Sequence, residues 1–482
     1  MTHKKVIVIG AGLAGLSAGC YLEMNGYDTE IFELHTMPGG LCTSWKRGDY
    51  IFDGCIDFFL GTNPSCDCYH IWNELIDMKQ LEIFHYQEYK RIEDKNGQFI
   101  RVRTNLDELE QEFLEKAPED RAVITEFIGL ARRFLTLAEM PADKAQESKD
   151  SKKWEWIPVS EFTKKCKNPL LAETIGNIFA PEVPVSFIMM LLVWMHQKCA
   201  GYPIGGSLKF SRLIEKKYLQ LGGKIHYNSR VKKILTKDNS AKGVLLENNK
   251  KYPADIVVSA ADGYATIFKM LEGKYTDEKI LNTYENCIPT PSYLLVSLGI
   301  SRTFPDVPHR LIFPLEKTLV IDPVTSCEDV MLRVFDFDPT MAAEGKTVIN
   351  FLISTDNYKY WVDLRENNRK KYKQEKNRIA DELVDILEKK FGNVKPHVEV
   401  TDVCTPASVI RYTNNWQGSM LGWWSTEDDS MGIKNVLPGL EDFYMAGQWV
   451  GGGALSEAIE SGRKAAQTIC KKDKKKFATS HY

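Results

Sequence analysis

The chain has 482 residues, 43% of them hydrophobic and 26% charged, with a formal net charge of −3. At roughly 150 residues per domain this is ample for large buried cores, which excludes a disulfide-stapled miniprotein. Ordinary glycine and proline usage excludes a disordered, collagen-like or coiled-coil chain, and the near-neutral charge carries no global signature of nucleic-acid binding.

Val6 to Ile9 is a β-branched run that ends in glycines. Leu13 to Met24 follows with helical spacing, and Asp28 to Phe32 reads as a second strand, so the chain opens with a βαβ unit. Lys4 and Lys5 ahead of the apolar run Val6 to Leu22 imitate a signal peptide. The glycine spacing explains the same residues better and continues to Glu33. Gly10, Gly12 and Gly15 form G-x-G-x-x-G at a strand-to-helix junction, and Glu33 closes the next strand at about the 20-residue distance of a dinucleotide fingerprint. Gly10 permits the tight turn, Gly12 admits a pyrophosphate to the backbone, and Gly15 lets helix and strand pack closely. Leu13 and Ala14 lie in the first helical turn, whose free N–H groups favour an anion. Glu33 can accept from the ribose hydroxyls and disfavours a 2′-phosphate.

The 11 cysteines are odd in number and scattered from Cys20 to Cys470, a pattern of reduced thiols and a cytosolic chain. Cys55, Cys66, Cys68 and His70 have soft-metal donor types. Only one residue separates Cys66 from Cys68, so no metal site is predicted. Met140 to Trp156 is polar and lysine-rich and reads as an exposed loop, with a moving lid as the sharper alternative. Val185 to Met195 is apolar throughout but too short to span a bilayer and reads as a buried helix. Leu208 to Leu221 is helical, and Lys224 to Tyr227, Val231 to Leu235, Gly243 to Leu246 and Ile256 to Ser259 read as short strands of an α/β layer. From Ile280 to Val436, strands such as Tyr293 to Leu298 and Val348 to Ser354 mix with a charged helix near Asn367 to Phe391, whose charge is a solvated face. Phe443 to Ala446, Gly447, Gly451 to Gly453 and a helix from Leu455 to Cys470 repeat the strand-turn-helix pattern. The tail Lys471 to Tyr482 is basic and reads as a frayed, solubilising end, with contact to anionic lipid as the second reading.

After Glu33 come Pro38-Gly39-Gly40 and then Lys46-Arg47-Gly48-Asp49-Tyr50-Ile51-Phe52-Asp53-Gly54. With these the chain resembles the phytoene desaturase, carotenoid isomerase and retinol saturase group of flavoproteins, within the wider amine-oxidase-like FAD superfamily. The resemblance implies that Gly39, Gly40 and Leu41 run beside FAD and that Asp53-Gly54-Cys55 returns toward the flavin. Tyr202 to Gly206, Gly222-Gly223 and Val231 are similar to the group's next block, whose valine backbone meets the adenine. Val257 to Asp262, Thr405-Pro406 and Gly418 continue the likeness. Tyr444 to Trp449, Gly451 to Gly453, Ser461-Gly462-Arg463 and Ala465-Ala466 are similar to the C-terminal flavin motif, which implies cofactor contacts at Gly447, Gln448, Gly453, Ala454 and Leu455. Gln448 departs from the acid many relatives carry to bind the ribityl chain. A helix starting near Gly453 would aim its N–H groups at the flavin pyrimidine.

The resemblance implies an α/β fold. A Rossmann-like, glutathione-reductase-like FAD-binding domain would come from 1–105, 202–265 and 437–470, an inserted α+β substrate domain from 106–201 and 266–436, and a basic tail from 471–482. The implied activity is desaturation, saturation or double-bond isomerisation of a lipophilic, isoprenoid or polyene-like substrate. The flavin carries the redox step, so few acid–base residues are expected. A single G-x-G-x-x-G provides no second dinucleotide domain, so the electron donor or acceptor is external: a quinone, oxygen or transient NAD(P)H. Phe187, Trp194, Tyr293, Trp416, Trp423 and Trp424 are candidate pocket aromatics, and Asp53, Cys55 and Trp449 candidate residues near the flavin; core packing explains any single aromatic equally well. A lipophilic substrate also implies peripheral contact of a cytoplasmic protein with a membrane. Two alternatives stand beside this reading. One is an amine oxidase acting on a C–N bond, whose water-holding lysine has no placed counterpart; the other is a flavin-retaining lipid-binding protein without turnover.

Overall fold

The computed structural model describes residues 3–138, 140, 149–424 and 433–480. At its centre is a five-stranded parallel sheet in the order Lys224–His226, Asp28–Phe32, Lys5–Ile9, Ile256–Ser259, Phe443–Met445. Val6 to Ile9 and Ile256 to Ser259 are buried at every position, as a parallel strand covered on both faces must be. The helix Leu13–Met24 lies against Leu455–Lys472 so closely that a Cβ on Gly462 would stand 2.3 Å from the Ala14 carbonyl oxygen, and the Ser17 hydroxyl donates to the Ile459 carbonyl at 2.7 Å. Segments from the two ends and the middle of the chain therefore build one nucleotide-binding layer, the Rossmann-like arrangement.

Val231–Lys237, Ser240–Leu246 and Lys251–Pro253 do not join that layer. They form a separate antiparallel sheet, because turns at Asp238-Asn239 and Asn248-Asn249 reverse the chain before any crossover helix can form.

The second unit is a seven-stranded sheet in the order Val398–Cys404, Ser292–Ile300, Thr347–Thr355, Thr325–Val334, Arg310–Asp322, Glu88–Glu93, Phe99–Arg103. The family resemblance assigns residues up to 105 to the nucleotide unit; within them, the hairpin Glu88–Arg103 pairs with this larger sheet through Leu311 opposite Arg91. Alternation sorts the central strand Ser292–Ile300 into two faces. Leu294, Val296 and Leu298 pack with Ile379, Leu383 and Leu387 of the helix Arg369–Phe391, which turns its charges outward. Tyr293 and Leu295 pack with Leu41 and Trp45 of the nucleotide unit. Val185–His196 is a buried helix among the helices that complete this unit.

Two expectations are corrected here. Cys66 and Cys199 are joined in a disulfide, where the scattered pattern predicts reduced thiols throughout; a separation of 133 residues concealed their proximity. The tail is docked: Lys475 sits 3.9 Å from the Tyr27 ring centroid, the Phe477 ring packs on Tyr21, and Ala478 exchanges backbone hydrogen bonds with the Asn25 side chain. Of the lysine-rich segment, 141–148 lie outside the described residues, and Lys149–Trp154 is helical.

Candidate active site

Gly10 has a φ of +96° and donates its N–H to the Phe32 carbonyl at 2.8 Å, which brings the glycine turn over the end of the second strand. Glu33 receives the Ala11 N–H at 2.7 Å and the His35 N–H at 2.7 Å. Burial pushes its carboxyl up, and these N–H groups together with Arg230 oppose that shift. Gly39 donates to the Ala11 carbonyl at 2.8 Å, so Gly39 and Gly40 lie across the turn. Val231 arrives beside them because the Ser229 N–H binds the Glu33 carbonyl at 2.7 Å.

The glycines divide by what they serve. A Cβ on Gly15 would lie 2.0 Å from the Gly10 carbonyl oxygen and one on Gly39 2.2 Å from that of Cys42, so the chain's own packing requires both. Gly12 has an ordinary φ of −69°, and its Cβ would meet no atom closer than 3.9 Å. Nothing in the protein calls for glycine at 12. The space it leaves, at the start of a helix whose first N–H groups have no intrahelical acceptor, fits a pyrophosphate.

At the other end of the site, Gly447 has a φ of +103° and its N–H is held by the Ser461 hydroxyl at 2.8 Å. Gly453 is pressed against the irregular strap 414–424 at Leu421, where a Cβ would stand 2.1 Å from the carbonyl oxygen. The last helix begins at Leu455, and Glu457 folds back to accept the Ala454 N–H at 3.0 Å, so one of the N–H groups expected to face the flavin is already taken. Gln448 donates to Asn415 Oδ1 at 3.1 Å, and Trp449 Nε1 donates to the same oxygen at 3.0 Å. No sequence spacing marks Asn415, yet it connects the strap to the flavin motif.

Trp416, Trp423 and Trp449 come together with ring centroids 4.9 to 5.7 Å apart, and Tyr264 and Tyr284 extend the cluster. Trp424 stays outside at 38% exposure. Phe187 packs on Phe179, and Trp194 packs against the main core. Tyr293 faces the site side with Leu41, Trp45 and Met420.

Asp53 is buried, and its carboxylate is saturated. It accepts the Tyr202 hydroxyl at 2.5 Å, the Ser207 N–H at 3.0 Å, the Ser207 hydroxyl and the Cys55 N–H at 3.1 Å. It thus caps the helix Gly206–Gln220 and has no lone pair left over for substrate. A hydrogen bond with the Cys42 thiol, and then burial, push the Cys55 thiol well up, so it is protonated at neutral pH. Asp262, at the end of the Ile256–Ser259 strand, holds the strap by accepting the Trp416 N–H at 2.8 Å and the Ala265 N–H at 2.7 Å.

Burial pushes the Asp262 carboxyl up to about 7. A raised folded-state value means that the folded chain binds the proton more tightly than the unfolded chain does, so this group's contribution falls as pH rises from about 4 to 7. Relative to wild type, Asp262→Asn should therefore gain stability between pH 5 and pH 7.5 in urea unfolding, whereas a constant difference would assign the carboxylate its ordinary range.

Residues 13–470 match the family model described as flavin containing amine oxidoreductase. The chain belongs to this family. The flavoprotein is 24% identical over 462 residues to prolycopene isomerase 2, chloroplastic, of an Oncidium hybrid cultivar, covering 84% of this chain and 73% of that protein. It is 21% identical to a 4,4'-diapophytoene desaturase (4,4'-diapolycopene-forming) of Methylomonas sp, covering 98% and 96%. Among solved structures, an oxidoreductase from Methanosarcina mazei aligns with a TM-score of 0.61 at 16% identity over 96% of this chain and all of that one. The flavoprotein is an FAD-dependent oxidoreductase with the Rossmann-like fold of its family. Among its described residues no helix is long and apolar enough to cross a membrane.

Proposed function

We propose that the flavoprotein acts on carbon–carbon bonds of a lipophilic, isoprenoid or polyene-like substrate, by desaturation, saturation or double-bond isomerisation. The observation that carries this reading is the make-up of the site. Leu41, Trp45, Tyr293, Leu295 and Met420 pack as one apolar cluster, while the carboxyl groups of Asp53 and Asp262 are committed to the protein's own hydrogen bonds. Such a site offers walls and water exclusion rather than proton transfer, which suits redox chemistry supplied by the cofactor. The similarity to the Oncidium prolycopene isomerase and the Methylomonas 4,4'-diapophytoene desaturase supports the same class.

Gly10, Gly12, Leu13, Ala14 and Gly15 would hold the FAD pyrophosphate, and Glu33 and Val231 the adenosine. Gly39, Gly40, Leu41, Gly447, Gln448, Gly453, Ala454 and Leu455 would hold the flavin end. An external quinone, oxygen or NAD(P)H completes the electron balance, and peripheral contact with a membrane would deliver the substrate.

The test is anaerobic spectroscopy of the purified holoenzyme. Bleaching of oxidised flavin by a carotenoid precursor, reoxidation of reduced flavin by a polyene, or a change in polyene double-bond geometry read by chromatography is expected. Bleaching by amines, with no response to any polyene, would overturn the reading.

A further inference from the structure

The larger sheet carries a row of polar side chains on the face turned toward the nucleotide unit. Asp402 lies opposite Ser297, Ser297 opposite Asn350, Asn350 opposite Arg333, and Arg333 opposite Arg310. Directly opposed residues in antiparallel pairs project to one face. Ser297 shares its face of the strand with Tyr293 and Leu295, which pack on Leu41 and Trp45, and Asn350 Nδ2 donates to the Asp53 carbonyl at 2.9 Å, so this is the site face.

The row is almost completely buried and largely unpartnered. Ser297, Asn350 and Arg310 are 0% exposed and Arg333 is 3% exposed. Ser297 Oγ, Asn350 Oδ1, Arg333 Nε, and Arg310 Nε and Nη1 are buried without a hydrogen-bond partner. The Arg333 side chain makes no hydrogen bond among the described residues, and its guanidinium stands 3.6 Å from Asp57. Arg310 grips Asp57 and lies over the Tyr89 ring at 4.2 Å. Lys90 is buried nearby, but burial pushes its ammonium down to about 7 and it donates to the Asn177 carbonyl at 2.6 Å, so Asp57 faces two full cations, Arg310 and Arg333, with the committed carboxylate of Asp53 beyond. Proteins seldom bury guanidinium groups in this state without something to receive their protons. Asp57 keeps 35% of its side-chain surface accessible, although the carboxylate oxygen that faces both arginines is itself buried.

We infer that this row is a head-group subsite that receives the carboxylate of a lipophilic substrate at Arg333, with Arg310 and Asp57 behind it. The apolar residues Tyr293 and Leu295, on the strand of Ser297, would carry the chain. Asp57 leaves the cluster only a small excess of positive charge, which suits a monoanion better than a phosphate dianion. The inference rests on the proposed function for the nature of the chain and not for its charged end.

The experiment titrates holoenzyme with all-trans-retinoic acid, its methyl ester and retinyl phosphate, following calorimetry and flavin absorbance together. The acid should bind about 10- to 100-fold more tightly than the ester, the span of a charge-assisted hydrogen bond. Arg333→Met should erase the preference while leaving the flavin-to-protein ratio unchanged, and Arg333→Lys should retain it at reduced strength. Equal affinity for acid and ester, no binding of either, tighter binding of the phosphate, or an unchanged preference for acid over ester in both variants would overturn the subsite. Selective binding of the acid without any flavin response to polyenes would retain the subsite and remove the carbon–carbon reading. A flavin response with no preference between acid and ester would do the reverse.

Discussion

Gly12→Val should yield folded, colourless protein, with a flavin-to-protein ratio below about one-tenth of wild type because the side chain fills the space a pyrophosphate needs. The expectation of a folded chain follows from the geometry of the glycine turn. A Cβ at 12 meets nothing nearer than 3.9 Å, so the substitution acts on the cofactor before it acts on the fold. Gly15→Ala provides the contrast, since its Cβ would stand 2.0 Å from the Gly10 carbonyl oxygen. That variant should lose roughly 1–3 kcal/mol or more of stability through overpacking. Far-UV circular dichroism and flavin absorbance of the two purified variants separate the effects. A yellow, stoichiometrically loaded Gly12→Val protein would remove the turn from the cofactor site.

Asp53→Ala should destabilise the protein by roughly 3–5 kcal/mol, because it strands four buried donors at once and their individual costs are not additive. The donors come from the Tyr202 strand, the start of the Gly206–Gln220 helix and the Cys55 turn, and the Asp53 carbonyl is in turn held by Asn350 of the larger sheet. Asp53→Asn keeps one acceptor oxygen, and the two hydroxyls can rotate to meet the amide, so its loss should be smaller. The measurement is the urea midpoint of each variant alongside flavin content. If Asp53→Asn lost turnover with its midpoint unchanged, the carboxylate would be acting on substrate rather than holding the site together.

The two halves of the site were unequally legible. The dinucleotide turn could be read residue by residue, because Gly10, Gly12, Gly15 and Glu33 act within one βαβ unit whose geometry repeats wherever its spacing occurs. The C-terminal motif was readable in outline, but the partners of Gln448 and Trp449 were not, since Asn415 lies in a strap with no periodicity of its own. Trp416 and Trp424 looked equivalent as neighbours of that motif. Folding placed the first in an aromatic cluster and left the second at the surface.

The sequence by itself determined the nucleotide layer, the family likeness, the flavin motif and the buried helix at Val185–His196, all features written in local spacing and continuous apolar runs. The tertiary structure alone decided that Cys66 meets Cys199, that the basic tail docks on Tyr21 and Tyr27, and that Glu88–Arg103 joins the larger sheet. It also decided that Ser297, Asn350, Arg333 and Arg310 form one row. These four residues are spread over four strands, and each looks ordinary in its own segment. Cross-strand register, which depends on pairing between distant segments and leaves no local periodicity, is what assembles them.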